Sequence, residues 1–106
     1  MLYFLDFQVE YPTEMSQKEL FSVWAEEADT ALSAKAGGTV VDLWKCVGER
    51  KVLCVVEVGS PDDLDRILFD LPIMKKHGQH VQVKVTALRK YEDFANDVRE
   101  RLQESF

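Results

Sequence analysis

The sequence contains few cysteines, glycines and prolines, and it has no long hydrophobic run. Two cysteines among 106 residues are too few for the disulfide framework of a small secreted domain. With five glycines and three prolines, the chain has no low-complexity tract, internal repeat or linker. No apolar stretch approaches the roughly 20 residues that a membrane-spanning helix needs. The opening MLYFLDFQVEYP lacks the basic leading region of a signal peptide and contains two acids, so we interpret it as a strand.

Positive charge is also scarce relative to negative charge. The chain has 13 lysines and arginines against 19 acids, a formal net charge of −6. An acidic chain repels nucleic-acid phosphates and anionic membranes, so we expect neither as a partner. Hydrophobic residues make up 46% and charged residues 30%, which is typical of one compact globular domain. We expect a cytoplasmic protein.

The first part of the chain predicts a strand followed by a helix. Residues 2–10 alternate, which places Tyr3 and Leu5 on one face and Phe4 on the other. Ser16, with Glu19 three residues later, forms the pattern of a capping box, and Gly37-Gly38 ends the helix. The apolar stripe of this helix is predicted to consist of Leu20, Phe21, Trp24, Ala25, Ala28, Ala31 and Leu32.

The stretch GGTVVDLWKCVGERKVLCVVEV, residues 37–58, predicts a β-hairpin with a polar turn at residues 48–51. Strict alternation places Val41 and Leu43 on one face of its first strand, and Trp44 on the other. In this register Cys46 and Cys54 lie nearly opposite each other. We interpret both as small apolar side chains rather than as a disulfide or a nucleophile.

A second helix and a last strand follow the hairpin. SPDDLDRILFDLP has Ser60 as its cap, Pro61 at its first position, and an end at Leu71-Pro72. MKKHGQH is predicted to be a positively charged lip before the strand HVQVKVTAL, and it could attract acidic substrates. His77 and His80 lack a third ligand, so we predict no metal site.

The order β-α-β-β-α-β predicts a ferredoxin-like α+β fold over residues 1–88, with a four-stranded antiparallel sheet and two helices on one face. Residues 89–106 are predicted to form an additional C-terminal helix, which must bury its apolar stripe on its own domain or on a partner subunit. The open sheet face also predicts a homo-oligomer, because it carries much apolar area. The stripe of the last helix is Tyr91, Phe94, Ala95, Val98, Leu102 and Phe106; the open face carries Phe4, Trp44, Leu53 and Val55.

Several segments carry a resemblance to a known family. MLYFLDFQV, GGTVVDLWKCVG, VEVGSPDDLDRIL and the LP at 71–72 resemble the muconolactone delta-isomerase family, in the same order over roughly residues 1–88. The resemblance implies small subunits that pair sheet against sheet as a dimeric α/β barrel and often form rings. It also implies a proton shift, with no cofactor or metal, that moves a double bond within an unsaturated lactone during the breakdown of aromatic compounds.

Glu27 is the candidate catalytic residue. It lies at the border of the apolar stripe, and it matches the position where the family carries its helix carboxylate. A carboxylate in an apolar pocket suits the role of base, because burial raises its pKa towards the working pH. The alternative is a half-exposed residue at the flank of the helix, as is common for acids bordering such stripes.

The hairpin departs from the pattern that the resemblance implies. The family has a Tyr and then an Asn or His after the turn glycine, where this chain has Arg50 and Val52. Arg50 can bind a substrate carboxylate or stabilise an enolate, whereas Val52 can neither donate a hydrogen bond nor move a proton. Trp44 and Phe4 are candidate substrate-binding residues; the alternative for Trp44 is a place in the core or an interface.

Two hypotheses follow. The first is a cofactor-free isomerase acting on an unsaturated lactone or a related small carboxylic acid, with Glu27 shuttling the proton and Arg50 holding an oxygen. The second is a small-molecule-binding or oligomeric assembly module that keeps the fold and has lost the chemistry. A dry pocket beside Glu27 favours the first hypothesis, whereas the lack of such a pocket, or a carboxylate open to water, favours the second.

Overall fold

The computed structural model describes residues 1–105, so Phe106 of the predicted stripe lies outside the described residues. The strands form one antiparallel sheet in the order β2-β3-β1-β4, which confirms the predicted ferredoxin-like fold. The elements are β1 (Leu2–Val9), α1 (Gln17–Ala36), β2 (Val40–Lys45), β3 (Lys51–Glu57), α2 (Pro61–Asp70), α3 (Pro72–His77), a 3₁₀ turn (Gly78–His80), β4 (Val81–Leu88) and α4 (Tyr91–Ser105).

Both long helices of the domain begin at the predicted capping residues. The Ser16 hydroxyl accepts a hydrogen bond from the Glu19 N–H at 3.1 Å, and Ser60 accepts one from the Asp63 N–H at the same distance. These bonds satisfy N–H groups that have no partner within the first helical turn. After α1 the chain turns at Gly38, whose φ of +89° favours glycine because it has no Cβ.

The core lies between the sheet and the helices on one of its faces. Leu5, 2% exposed, pairs with Cys54 on β3 and with Val85 on β4. Leu64 and Leu68 of α2 pack against this face of the sheet. The predicted alternation of β1 is therefore confirmed, with Tyr3 and Leu5 facing the core.

A β-bulge changes the predicted faces of β2. Val40 pairs with Val56 and Asp42 with Val55, so Val41 is left between them and is 53% exposed. Val40 takes the core position instead, at 8% exposed, and the prediction for Val41 was wrong. A bulge shifts the alternation by one residue, which a strict two-residue period does not predict.

The hairpin register separates the two cysteines. Cys54 pairs with Leu43, whereas the N–H of Cys46 donates a hydrogen bond to the Lys51 carbonyl at 3.0 Å. They are therefore not opposite each other, and the expected register was wrong. Cys54 is buried, and burial raises the pKa of its thiol to about 11.

The buried side of α1 is narrower than predicted. Leu20 is buried, but Phe21 and Leu32 of the predicted stripe are 54% and 60% exposed. Glu27 is half-buried on the inward side of the helix, while Ala25 and Ala28 are exposed. The predicted stripe was too wide because α1 covers the sheet with one side only. The half-buried residues are Val23, Trp24, Glu27, Thr30, Ala31 and Ala34.

The segment after α2, which includes the start of the predicted positively charged lip, is helical. Leu71 has an extended backbone with ψ of 137°, and Pro72 begins α3 at its first position. Proline ends one helix and begins another because its φ is fixed in a range suited to a first turn, where its missing N–H is not needed. Ile73, 5% exposed, anchors α3, and Lys75, Lys76 and His77 lie in its last turn.

α4 extends away from the rest of the described chain. The molecule measures 62 Å along its longest axis, and its radius of gyration is 17.4 Å, against about 13 Å for a compact domain of 100 residues. Phe94 and Leu102 are 45% and 58% exposed, so within residues 1–105 the predicted stripe is not buried on its own domain. None of the helices within residues 1–105 combines the length and apolar character needed to cross a membrane.

Candidate active site

A group of polar and aromatic side chains meets where β1 ends and the chain turns towards α1. The end of β1 is fixed by two backbone hydrogen bonds, from the Val9 N–H to the Arg50 carbonyl at 3.0 Å and from the Glu10 N–H to the His80 carbonyl at 2.8 Å. These bonds bring the hairpin turn and the segment before β4 to the two sides of Tyr11. α1 supplies Trp24 and Glu27 from above the same sheet face.

Glu27 lies at the contact between α1 and α3. Its Oε1 accepts a hydrogen bond from the Ile73 N–H at 3.0 Å. Burial raises the pKa of the Glu27 carboxyl; the Ile73 N–H lowers it, and the negative charge of Glu26 raises it further. The carboxylate is therefore partly withdrawn from water, while its other oxygen is still reached by solvent. Within residues 1–105 its second oxygen has no protein hydrogen-bond partner, so it is free to accept a proton.

This carboxylate also has a structural role. Ile73 is the second residue of α3, and the residue before Pro72 is Leu71, whose side chain has no hydrogen-bonding group to cap the helix. Glu27 supplies that acceptor from another helix. Neighbouring Glu26 is exposed and pairs with Lys76 at 2.6 Å, so adjacent acids of α1 both attach to α3.

Tyr11 is the site residue that the sequence analysis missed. Its ring lies edge-on to Trp24 at 6.1 Å and to His77 at 6.3 Å. Its hydroxyl oxygen is buried and has no hydrogen-bond partner of good geometry within residues 1–105. Burial raises the pKa of the Tyr11 phenol; the Trp24 indole and the Arg50 charge oppose this shift, and the Glu27 charge adds to it. The sequence pattern that could have identified Tyr11 is the alternation of Leu5, Phe7 and Val9, which Tyr11 continues by one more step.

Arg50 lies over Tyr11 at the mouth of an open groove. Its guanidinium carbon is 5.7 Å from the centre of the Tyr11 ring, a cation–π distance. The groove has a volume of about 490 Å³ and is lined by residues 8–11 and 49–51. Glu27 is not among the lining residues, so this groove is not the dry pocket expected beside Glu27, although the Glu27 charge acts on Tyr11, which does line the groove. Glu27 and Arg50 thus lie on the same side of the sheet. Tyr11 is near both, because Arg50 lies over its ring and the Glu27 charge acts on its hydroxyl.

A second cation lies beside the same aromatic group. The Lys45 ammonium is 5.8 Å from the centre of the Trp24 ring, and it donates a hydrogen bond to the Cys46 carbonyl at 2.8 Å. Lys45 is exposed, and it is on the helix-facing side of the sheet. Val52, opposite it in the register, is a half-buried apolar residue with no donor to offer.

Trp44 and Phe4 are on the other face of the sheet. Trp44 pairs with Leu53, and Phe4 pairs with Val55, so all four side chains are on the face away from the helices. Within one chain, the sheet therefore separates these two predicted substrate-binding residues from Glu27. Trp44 is 52% exposed, which leaves it available for an interface.

The two histidines do not form a metal site with their neighbours. Within residues 1–105 no group of three or more His, Cys, Asp or Glu side chains is close enough to hold a metal ion. His77 instead packs its ring edge-on to Tyr11.

Comparisons with known proteins identify relatives in sequence and in structure. A sequence model of the family described as muconolactone delta-isomerase matches residues 1–93. The muconolactone delta-isomerase of Cupriavidus pinatubonensis is 29% identical over 91 residues, which cover 86% of this chain and 95% of that protein.

Two solved structures share the fold. A crystal structure of muconolactone isomerase matches with a TM-score of 0.72 at 24% identity, covering 85% of this chain and 90% of that one. The 5-chloro-2-hydroxyhydroquinone dehydrochlorinase of Burkholderia phenoliruptrix, in complex with 2,5-dihydroxybenzoquinone, matches with a TM-score of 0.59 at 13% identity, covering 88% and 98%. At these identities the structures establish the common fold, while the family match spans most of the sequence. The chain therefore belongs to the muconolactone delta-isomerase family.

Proposed function

We propose that the protein is a cofactor-free isomerase that shifts a proton and a double bond within an unsaturated lactone or a related small carboxylic acid. The observation that carries this proposal is the half-buried Glu27 carboxylate, held by the Ile73 N–H with its other oxygen free. Family membership supports the reaction class. In this proposal the protein acts in the cytoplasm, in the breakdown of aromatic compounds.

The chemistry needs one base and one site for negative charge. Glu27 removes a proton from the γ carbon, which is attached to the far end of the conjugated C=C bond, and the electron pair of the broken C–H bond moves through that double bond onto the carbonyl oxygen. Glu27 then returns the proton to a different carbon, and the electron pair moves back to form the new C–H bond. A carboxyl with a raised pKa is suited to both steps, because it is easily protonated and deprotonated near the working pH.

Arg50 is proposed to hold the substrate. Its guanidinium is exposed at the groove and carries its charge at all working pH values, so it can bind a carboxylate with two parallel hydrogen bonds. It cannot act as the base. Trp44 and Phe4 are proposed to contact substrate only across a subunit interface, because the sheet lies between them and Glu27 in one chain.

The test is turnover by the purified protein. Muconolactone and its methylated and chlorinated relatives are incubated with the protein, and the loss of ultraviolet absorbance is followed. A matched panel includes 5-chloro-2-hydroxyhydroquinone, because a protein of the same fold is named for removing chloride from it. Glu27→Gln is expected to lower the rate by at least about a hundredfold, the scale of a lost general base. Glu26→Gln is the control, since Glu26 is an exposed partner of Lys76 on the same helix. Equal activity in Glu27→Gln would remove Glu27 from the mechanism.

A second candidate function is a binding or assembly module. Val52 places an apolar side chain beside the site, and the exposed stripe of α4 is available to a partner. Under this proposal the protein binds lactones or carboxylates in the groove without converting them. Calorimetry that detects binding, with no turnover of any compound in the panel, would favour it over the isomerase.

We also propose that the protein associates with itself. Trp44 and Leu53 are paired on the open sheet face beside Phe4 and Val55, and this face has no helix over it within residues 1–105. Burying such an apolar face against a second copy removes it from water. Light scattering at micromolar concentration is expected to give a dimer or a larger assembly, and a monomer would contradict the proposal.

A further inference from the structure

The buried hydroxyl of Tyr11 is the polar group that the proposed mechanism leaves without a role. Its oxygen is shut off from solvent and has no partner of good geometry within residues 1–105; the Trp24 indole N–H beside it can only donate, so the Tyr11 O–H has no acceptor. A buried hydroxyl without a partner destabilises a folded protein, and native structures contain few such groups. Since the neighbours of Tyr11 are the groups of the candidate site, the site itself is where a partner for this hydroxyl is expected.

The surroundings of Tyr11 fix its ring from three directions. Trp24 and His77 contact it edge-on at interplanar angles of 72° and 68°. Arg50 covers it with its guanidinium carbon 5.7 Å from the ring centre. A ring held in this way keeps its hydroxyl at a set position, as electrostatic catalysis requires of a donor that must not reorganise during the reaction.

We propose that Tyr11 donates a hydrogen bond to the oxygen that becomes negative when Glu27 removes the proton from the substrate. This inference rests on the proposed isomerase function and adds to it the donor that stabilises the enolate. The Tyr11 O–H bond stays intact throughout, so the proton balance between Glu27 and the two substrate carbons is unchanged.

The phenol is suited to this role at neutral pH. Burial raises the pKa of Tyr11, so the hydroxyl keeps its proton and remains a donor. The hairpin offers no neutral donor at the neighbouring positions, because residue 52 is a valine and residue 50 is a cation. In this proposal the Arg50 guanidinium binds the carboxylate of the substrate, and the Tyr11 hydroxyl binds the enolate oxygen.

Access to the hydroxyl requires a movement of Arg50. The Arg50 side chain is exposed and lies over the Tyr11 ring at the groove. A substrate carboxylate in the groove attracts the guanidinium and draws it off the ring. The same binding event that places the substrate thus uncovers the donor.

The decisive variant is Tyr11→Phe, which keeps the ring and removes only the hydroxyl. Its kcat on muconolactone is expected to fall by about a hundredfold to a thousandfold, the range for loss of one oxyanion donor, while KM changes by less than about twofold. Its melting temperature is expected to be no lower than that of the wild type. Tyr3→Phe is the matched control, because Tyr3 is on β1, the strand that ends just before Tyr11, and lies within the core at 7% exposed.

The pH profile separates this role from a positioning role. If Tyr11 acts only by adjusting Glu27, Tyr11→Phe will move the acid limb of kcat/KM and leave its plateau at the wild-type level, and this would overturn the proposal. A lower plateau of kcat/KM with an unchanged midpoint supports the proposal. A Tyr11→Phe enzyme with wild-type kcat beside an inactive Glu27→Gln would reject Tyr11 as donor and retain the isomerase.

A binding measurement tests Tyr11 independently of turnover. The probe is 4-nitrophenolate, a planar oxyanion whose visible absorbance reports hydrogen bonding. Wild-type protein and Tyr3→Phe are expected to bind it at least about tenfold more tightly than Tyr11→Phe, the discrimination of one good hydrogen bond. Equal affinities would overturn the proposal. If the wild type turns over no lactone, the isomerase proposal fails, and this affinity ratio still decides the role of Tyr11.

Discussion

Glu27 of α1 accepts a hydrogen bond from the backbone N–H of Ile73, the second residue of α3, at 3.0 Å. This bond gives one side chain two functions. It caps a six-residue helix that has no capping group of its own, and it holds the candidate base in a half-buried position. The structural use of one oxygen leaves the other for chemistry, so the two functions are compatible.

The first prediction concerns the pH dependence of turnover. Burial raises the pKa of Glu27 above the ordinary 4.5, and the base is active only when it is ionised. The value of kcat/KM is therefore expected to rise with pH, with a midpoint above 4.5. Initial rates between about pH 4 and pH 8 measure it. A midpoint at or below the ordinary value would contradict the water-poor environment.

The second prediction concerns stability. A raised pKa means that the folded state favours the neutral form of Glu27. The stability that this preference contributes is fully present below the unfolded pKa, and it is lost as pH rises through the folded pKa. Glu27→Gln removes the charge and retains an acceptor for Ile73, so its free energy of unfolding at neutral pH should be no lower than the wild type. Glu27→Ala removes the acceptor and should be less stable than Glu27→Gln by about 1–2 kcal/mol. Urea unfolding measures both, and equal stabilities would refute the capping role.

The third prediction uses two leucines of α1. Leu20 is 5% exposed and Leu32 is 60% exposed, although the sequence pattern places both on one stripe. Leu20→Ala is expected to cost about 2–5 kcal/mol of stability, and Leu32→Ala less than about 0.5 kcal/mol. Thermal or urea unfolding distinguishes them. Similar losses for both would show that a partner covers the outer side of α1.

The fourth prediction concerns the two thiols. Burial raises the pKa of Cys54 to about 11, so almost none of it is thiolate at pH 8. Cys46 is only half-buried, beside the hairpin turn. Iodoacetamide should modify Cys46 of the native protein and leave Cys54 unmodified, while both react after denaturation. Equal native labelling by mass spectrometry would contradict the register of the hairpin.

The fifth prediction concerns α4. Removal of residues 90–106 should leave the remaining domain folded, because α4 does not pack on the core within residues 1–105, but it should reduce assembly. Val98→Glu, on the exposed apolar stripe, should shift the assembly towards smaller species in light scattering. Gln103→Glu adds the same charge outside the stripe and is the control. Unchanged assembly in the deletion and in Val98→Glu would show that α4 has no part in it.

The fold was predictable because local signals and long-range packing agree along most of the chain. Ser16 and Ser60 mark helix starts by local chemistry, and β1 and β3 carry a clear two-residue period. Prediction failed where neighbours decide the outcome. The bulge at Val41 depends on the pairing with β3, and α3 depends on an acceptor supplied from α1, 46 residues away in sequence.

The residues of the candidate site also differ in whether the sequence alone could identify them. Glu27 and Arg50 were proposed from the sequence, because a resemblance assigns positions within elements, and they remain predictions. Tyr11 was not, since its importance comes from the hydroxyl left without a partner and from neighbours on three other segments. Trp44 and Phe4 were chosen as aromatic residues, and the register then placed them on the far face of the sheet.

By itself the sequence determined the order of the four strands with α1, α2 and α4, the caps of α1 and α2, and the family, because these depend on residue types and spacings along the chain. Only the tertiary structure decided which side of α1 is buried, where the alternation of β2 shifts, and that Tyr11 lies near both Glu27 and Arg50. Burial, register and pKa are properties of the surroundings of a group, and those surroundings come from residues distant in sequence.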